Sequence, residues 1–164
     1  MTVCAFPMCT FIYLIYQILL EVGMALIKWR DSYSVGVDKF DQEHMLLVEL
    51  INEMFEIVRD KGEVASLTDA VEKLVDYTRV HFSDEEEAME KVNYPHLEEH
   101  KEIHANLLEQ VVEFQKQIEH EGKDLRTDLY KFLREWLINH ILDEDMRYGK
   151  YFKDDLESVA AVSA

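Results

Sequence analysis

Residues 81–104 read HFSDEEEAMEKVNYPHLEEHKEIH, and this stretch decides the fold because it contains two pairs of candidate metal ligands. His81 and Glu85 are four residues apart, as are His100 and His104. Residues four apart lie on the same face of an α-helix, one turn above each other. The proline between the two pairs cannot continue a helix but suits the first turn of a new one. The stretch therefore predicts two successive helices that face each other across a tight turn.

The side chains in these pairs are of types that bind transition metals. Imidazole and carboxylate together suit iron, zinc, copper and nickel. A single pair at this spacing on a charged helix fits a solvated surface equally well. Two pairs on either side of one turn favour a metal site over that alternative.

The composition of the whole chain indicates a helical protein of one domain. Its 164 residues are enough to bury a core without disulfide bonds, and only five are glycine and two proline. With 34 acidic and 17 basic residues the formal charge is −17, which makes nucleic acid and anionic membrane surfaces poor partners. Both cysteines, Cys4 and Cys9, lie near the N-terminus, so a reducing cytoplasm is the expected compartment.

The first 20 residues carry no charge and are rich in apolar side chains. Three interpretations remain open for this extension, which we take to be residues 1–23. It can be a membrane anchor, with Lys28 and Arg30 holding the following domain in the cytoplasm, and a membrane is then a partner. It can be an untranslated stretch, because Met24 offers a plausible start, or it can be a helix that packs on the domain.

Hydrophobic periodicity predicts four helices after an extended arm at residues 24–40. Short connections join the helices, so the predicted fold class is all-α: an up-down-up-down antiparallel four-helix bundle with an N-terminal extended arm. We assign residues 24–153 to this bundle and residues 154–164 to a frayed tail. Apolar residues recur at intervals of three and four in segments that cover about residues 41–61, 66–92, 96–121 and 124–153.

Boundary residues mark where the predicted helices begin and end. Gly62 closes the first helix, and Ser66 with Asp69 can form a capping box for the second. Gly122 closes the third helix, and Asp124 can cap the fourth.

Each predicted helix carries candidate ligands on its inward stripe. In chain order they are His44, His81, Glu85, His100, His104, His140 and Asp145. Five imidazoles and two carboxylates are more than one metal ion can use. An unpaired buried carboxylate is unfavourable, and binding to metal relieves that cost. Two metal ions that share the carboxylates would satisfy the whole set.

The spacing of these residues follows four motifs: Asp41-x2-His44, His81-Phe82-x2-Glu85-Glu86-x2-Met89, His100-x3-His104 and Trp136-Leu137-x2-His140-Ile141-x3-Asp145-x2-Tyr148. Together they resemble the hemerythrin family in its bacterial single-domain form. The resemblance covers about residues 25–152 and fills all seven ligand positions of that family.

The resemblance implies a centre of two non-haem iron ions that binds O2 reversibly and is inhibited by azide and similar small anions. The family pattern assigns the ligands as follows: His100, His104 and His140 hold one iron, His44 and His81 hold the other, and Glu85 and Asp145 bridge them. The implied wall of the O2 pocket consists of Leu47, Phe82, Trp136, Leu137 and Ile141, with Tyr148 near Asp145.

Counting coordination positions leads to the same activity. Five histidines, two bridging carboxylates and a bridging oxygen fill all but one position around two six-coordinate ions, and the free position can bind a small ligand such as O2. No substrate is transformed, so we expect oxygen storage, transport or delivery to an oxygen-consuming enzyme, and no enzymatic activity. One geometric difficulty is that Asp145 follows His140 by five residues, about 140° around an ideal helix.

Two other classes of function remain open: an O2 or redox sensor that acts through a partner, and iron handling or detoxification of peroxide or nitric oxide. A ferritin-like oxidase is disfavoured because no histidine has glutamate three residues before it. We expect Glu86 and Glu87 to be surface charges. His96 is expected at the surface or behind a ligand, and His120 is expected in solvent.

Overall fold

A computed structural model describes residues 26–120 and 125–162 as a four-helix bundle, which confirms the predicted fold class. No strand occurs within these residues. The first three helices are α1 (Asp38–Arg59), α2 (Val64–Lys91) and α3 (Leu97–His120). The fourth helix is continuous and consists of α4 (Arg126–His140), one turn of π-helix (Ile141–Asp145) and α5 (Met146–Val162).

The ends of α1 and α2 are closed by the same backbone motif. At the end of α1, the N–H of Gly62 donates to the carbonyl of Ile57 at 2.8 Å, and Lys61 has a φ of 52°. At the end of α2, the N–H of Tyr94 donates to the carbonyl of Met89 at 2.9 Å, and Asn93 has a φ of 54°. Each motif satisfies carbonyls of the last helical turn and turns the chain back along the bundle. The predicted end at Gly62 is confirmed, although Lys61 adopts the left-handed conformation.

The start of α2 differs from the prediction. The helix begins at Val64 with Glu63 at its N-cap, and no side chain caps it. Ser66 and Asp69 therefore lie inside the first turns, so the predicted capping box is wrong. The backbone carbonyl of Glu63 accepts the first helical hydrogen bond, from the N–H of Leu67 at 3.3 Å.

Of the other predicted boundaries, two lie outside the described residues and one is placed too early. The predicted stop at Gly122 and cap at Asp124 fall outside the described residues. The last helix continues to Val162, beyond Asp154, where the sequence predicts the start of a frayed tail.

The N-terminal arm is extended, apart from a short 3-10 turn at Asp31–Tyr33, and it is bound to the bundle at three points. The side-chain amide of Asn52 pairs with both the N–H and the carbonyl of Ile27, at 2.8 and 2.9 Å. The carboxylate of Asp41 accepts from the N–H of Val35 at 2.8 Å. At Gly149 a Cβ atom would lie 2.3 Å from the carbonyl oxygen of Val35, so only glycine allows this close packing.

The interpretations of residues 1–23 concern a part of the chain outside the described residues. Among the helices in residues 26–120 and 125–162, none has the length and apolar character needed to cross a membrane.

Candidate metal centre

The seven predicted ligand side chains come together in the interior at one end of the bundle. All seven are buried, and the side chains of His44, Glu85 and Asp145 have no solvent exposure. Six of them form two overlapping groups whose ligand atoms lie within 4.8 Å of one another: His44 with His81 and Glu85, and Glu85 with His100, His104 and His140.

Glu85 lies between the two groups and directs one carboxylate oxygen towards each. Its Oε1 atom lies 3.4 Å from His44 Nε2 and 3.5 Å from His81 Nε2. Its Oε2 atom lies 3.7 Å from His100 Nε2 and 3.5 Å from His104 Nε2. The carboxylate has the placement that a bridge between two metal ions requires.

Asp145 divides its oxygens in the same way. Its Oδ2 atom lies 3.3 Å from His44 Nε2. Its Oδ1 atom lies 3.1 Å from His140 Nε2 and 3.6 Å from His100 Nε2. The two carboxylates therefore connect the same two sets of histidines.

The π-helical turn at Ile141–Asp145 resolves the geometric difficulty seen in the sequence. A π turn is closed by hydrogen bonds between residues five apart, so residues at that spacing lie above one another. Asp145 is thereby brought onto the face of His140, and the 140° separation expected for an ideal α-helix does not occur.

Several atoms of the cluster have no hydrogen-bond partner, and this tests whether metal fits. The unpaired buried atoms include His44 Nε2, His100 Nε2, Glu85 Oε2 and both carboxylate oxygens of Asp145. Burying such groups without a partner is strongly unfavourable. Two ligand atoms that each lie about 2.1 Å from one ion, at a right angle to each other, are about 3 Å apart. The distances between the histidine nitrogens and the carboxylate oxygens of the cluster are close to this value. The set of ligands therefore fits two transition-metal ions.

The charges within the cluster favour ionised carboxylates. Burial raises the pKa of Glu85, but the neighbouring His81, His100 and His44 outweigh burial and hold that pKa well below its usual range. Burial lowers the pKa of His44, but Asp145 and Glu85 outweigh it and raise that pKa to about 9. Without metal, a proton on His44 compensates the carboxylates, and metal binding would release it.

The pKa of His104 shifts in the opposite direction to that of His44. Burial, together with the neighbouring His140 and His100, lowers the pKa of His104 to about 2. Its Nε2 atom lies 3.0 Å from His140 Nε2. The imidazole of His104 is therefore neutral, which is the form that binds metal.

Two carboxylates support the ligand histidines from behind, and sequence reasoning missed both. Glu43 Oε2 lies 2.8 Å from His81 Nδ1, and Glu86 Oε1 lies 2.9 Å from His104 Nδ1. Such partners fix the tautomer and orientation of a ligand ring. The prediction that Glu86 is only a surface charge is therefore wrong, whereas Glu87 is exposed and pairs with Lys91.

A signal for these two glutamates is present in the sequence. Glu43 directly precedes a predicted ligand and Glu86 directly follows one. A residue next to an inward ligand lies at the edge of its helix, where it can reach a ligand on the neighbouring helix.

Tyr148 is fully buried and contacts the centre, but its hydroxyl donates a hydrogen bond to Glu85 Oε1 and not to Asp145. Burial and the nearby carboxylates of Glu85 and Asp145 raise the pKa of Tyr148 well above its usual value. The phenol therefore stays protonated and acts as a donor.

The five residues expected to form the pocket wall all lie in or against the core, and two of them contact ligand rings. Phe82 stacks on His104 at 3.5 Å between ring centres, with 2° between the planes. Trp136 stacks on His140 at 4.4 Å and 15°. The other three, Leu47, Leu137 and Ile141, are buried.

Of the two remaining histidines, His96 lies outside the cluster. His96 is exposed, and its Nδ1 atom lies 3.2 Å from Glu99 Oε2, which agrees with the surface alternative. The side chain of His120 is outside the description.

Comparison with known families supports the same fold and site. The family model described as "Hemerythrin HHE cation binding domain" matches residues 35–152. A crystal structure of wild-type hemerythrin is similar with a TM-score of 0.71 and 28% identity, over 77% of this chain and 97% of that one.

Similar proteins occur in bacteria and animals. The bacteriohemerythrin of Stenotrophomonas maltophilia is 33% identical over 137 residues, which cover 84% of this chain and 88% of the relative. The bacteriohemerythrin of Pseudomonas aeruginosa strain PAO1 is 35% identical over 76% of this chain and 80% of its own length. The myohemerythrin of Riftia pachyptila is 35% identical over 73% of this chain and 88% of its own length.

Proposed function

This chain belongs to the hemerythrin family, and from that premise we propose that it binds O2 reversibly at a non-haem di-iron centre. The observation that carries the proposal is the division of two buried carboxylates between two groups of histidines. One shared carboxylate can belong to a mononuclear site with a second-sphere partner. Two carboxylates divided in the same way support a pair of metal ions.

The side chains would divide the work as the family pattern implies. His100, His104 and His140 would hold one iron and His44 and His81 the other, with Glu85 and Asp145 between them. Two ferrous ions would supply the electrons that O2 accepts when it binds. The hydroxyl of Tyr148 would hold Glu85 in its bridging position, and Glu43 and Glu86 would orient the rings of His81 and His104.

The side chains around the centre favour reversible binding of O2 over its reduction to other products. The side chains assigned to the pocket wall are Leu47, Phe82, Trp136, Leu137 and Ile141, none of which is an acid or a base near neutral pH. An apolar wall excludes the water and protons that would convert bound O2 to other products. We therefore propose storage or delivery of O2 to an oxygen-consuming enzyme, in the cytoplasm.

The iron content and the visible spectrum of the protein test this proposal. Protein purified in air should contain about two irons per chain and show the near-ultraviolet and visible bands of oxygen-bridged ferric iron. After reduction, addition and removal of O2 should change the spectrum reversibly. About one iron per chain, or zinc as the tightly held metal, would contradict the di-iron assignment.

A pair of variants on neighbouring turns separates specific iron binding from a general effect of losing a histidine. His100→Ala removes a buried member of the cluster and should lower the iron content. His96→Ala removes an exposed histidine four residues earlier and should leave it unchanged. Equal iron content in the two variants would show that His100 is not a ligand.

A further inference from the structure

A groove of about 310 Å³ lies between the N-terminal arm and α4, and none of the seven proposed ligands lines it. Its volume is in the range of small-molecule sites. Three cationic side chains line the groove: Lys28 and Arg30 from the arm and Arg134 from α4. One acidic side chain, Glu135, also lines the groove, and the rest of its surface is formed by Leu26, Ile27, Tyr33, Ile138 and Asn139.

The cations of this groove lack the acidic partners that other arginines in the chain have. Elsewhere, the arginines that pair with a carboxylate at 2.6 to 3.3 Å are Arg59, Arg79 and Arg147. Within residues 26–120 and 125–162, no carboxylate pairs with Lys28, Arg30 or Arg134. Arg30 instead lies over the ring of Tyr33, 6.0 Å from its centre. Three cations without a carboxylate partner around one groove are unexpected in a chain of net charge −17.

Arg134 provides a second, independent observation. Its Nε atom is buried and has no hydrogen-bond partner. A buried N–H of a charged group without an acceptor is unfavourable. A rotation of the Arg134 side chain towards an anion in the groove would give its guanidinium an acceptor.

We infer that this groove binds a small organic phosphate. Two guanidinium groups, one ammonium group and the carboxylate of Glu135 give the lining a net charge of about +2, which matches that of a phosphate monoester, about −1.5 to −2 at neutral pH. A guanidinium also fits two oxygens of one phosphate at once. Ile27, Ile138 and the ring of Tyr33 suit an apolar body attached to that phosphate.

Binding would also connect two elements of the fold. The arm is bound to α1 through Ile27 and Asn52, and Arg134 belongs to α4. A phosphate held by both sides of the groove would fasten the arm to α4. The melting temperature should therefore rise with ligand concentration.

Phenyl phosphate is a suitable probe because it combines a dianionic phosphate with an apolar ring. Calorimetric titration of the iron-loaded full chain at about 0.15 M salt should show saturable binding of one phenyl phosphate per chain. The visible spectrum should not change, since the site is separate from the metal centre. Absence of saturable binding up to about 10 mM would overturn the inference.

Variants locate the binding. Arg134→Gln should weaken binding about tenfold or more, because it removes the charge and the buried Nε–H. Lys73→Gln, at an exposed lysine on α2, is the matched control and should bind as the wild type does. Equal affinity in these two variants would show that the probe binds elsewhere.

Two further measurements keep the inference falsifiable. If Arg134→Gln does not fold, the double variant Lys28→Gln/Arg30→Gln changes two exposed arm residues and should weaken binding in the same way. Benzoate, which has the same ring but one negative charge, should bind at least about tenfold more weakly than phenyl phosphate. Equal binding of benzoate would overturn the choice of phosphate.

Discussion

At one end of the bundle the interior contains five histidines and two carboxylates, while at the other end it is formed by aliphatic and aromatic side chains. Because the helices alternate in direction, the polar positions fall early in α1 and α3, late in α2 and near the middle of the fourth helix. The opposite halves of the same helices supply the apolar core, with residues such as Val58, Leu67, Val111 and Leu129.

The difference shows how stability and binding are divided within one fold. The apolar end is stabilised by the burial of its own side chains. The polar end has buried atoms without partners, which the proposed metal ions would satisfy. Substitutions at the two ends should therefore affect metal content and stability differently.

Glu85→Ala should have the largest effect and should reduce metal content and stability together. It removes one of the two carboxylates proposed as bridges and leaves His44 and His81 without their shared partner. We expect loss of most of the iron and a decrease of about 3–5 kcal/mol in the free energy of unfolding. Elemental analysis and urea denaturation measure the two effects. Unchanged iron content would show that Glu85 is not a ligand.

Leu129→Ala tests the apolar end, where stability should fall without loss of metal. Leu129 is fully buried, and its truncation should cost about 2–5 kcal/mol. The iron content of the folded protein should stay at two per chain. Leu46→Ala, at a leucine that is 39% exposed, is the control and should be close to wild type. If iron falls in parallel with stability in Leu129→Ala, the two ends are not independent.

Leu137→Asn places a polar group in the proposed pocket wall and should separate O2 lifetime from iron binding. The amide can hold water beside the centre, so the oxygenated protein should decay faster while both irons remain. Stability should fall by about 1–3 kcal/mol because Leu137 is buried. Stopped-flow oxygenation followed by slow oxidation measures the lifetime.

The control for that variant is Leu142→Asn, at an exposed leucine on the same helix. It should leave the lifetime unchanged. A Leu137→Asn protein with intact iron and wild-type decay would remove Leu137 from the pocket wall.

Glu43→Gln and Glu86→Gln should have the smallest effect, which should appear in metal affinity. Each variant exchanges a charged acceptor for a neutral one behind a ligand histidine, so iron affinity should fall by about tenfold. Competition with a chelator measures this affinity. Glu87→Gln changes the exposed neighbour of Glu86 and should match the wild type. If Glu87→Gln lowers iron affinity as much, the effect comes from the change in net charge and not from the contacts with the histidines.

The sequence predicted those features that depend on one helix at a time. Spacing of three and four residues located the helices, because burial of one face is a local property of each. The same spacing placed His81 with Glu85 and His100 with His104. The seven positions on four inward stripes then predicted one shared cluster.

Features that depend on the register between helices were missed or placed wrongly. Glu43 meets His81 from another helix, 38 residues away in sequence, and no periodicity within α1 indicates that contact. Glu86 was placed at the surface for the same reason. The hydrogen bond from Tyr148 to Glu85 on α2 was likewise not predicted from the sequence.

The π-helical turn at Ile141–Asp145 also bears on how this helix tolerates changes in length. The segment contains one residue more than a continuous α-helix needs between the same two faces. Deletion of exposed Leu142 would leave His140 and Asp145 four residues apart, still on one face of an α-helix. A single deletion elsewhere in the helix would rotate everything beyond it by about 100°. The turn is thus a place in the fourth helix where evolution can remove a codon and keep the inward side chains facing inward.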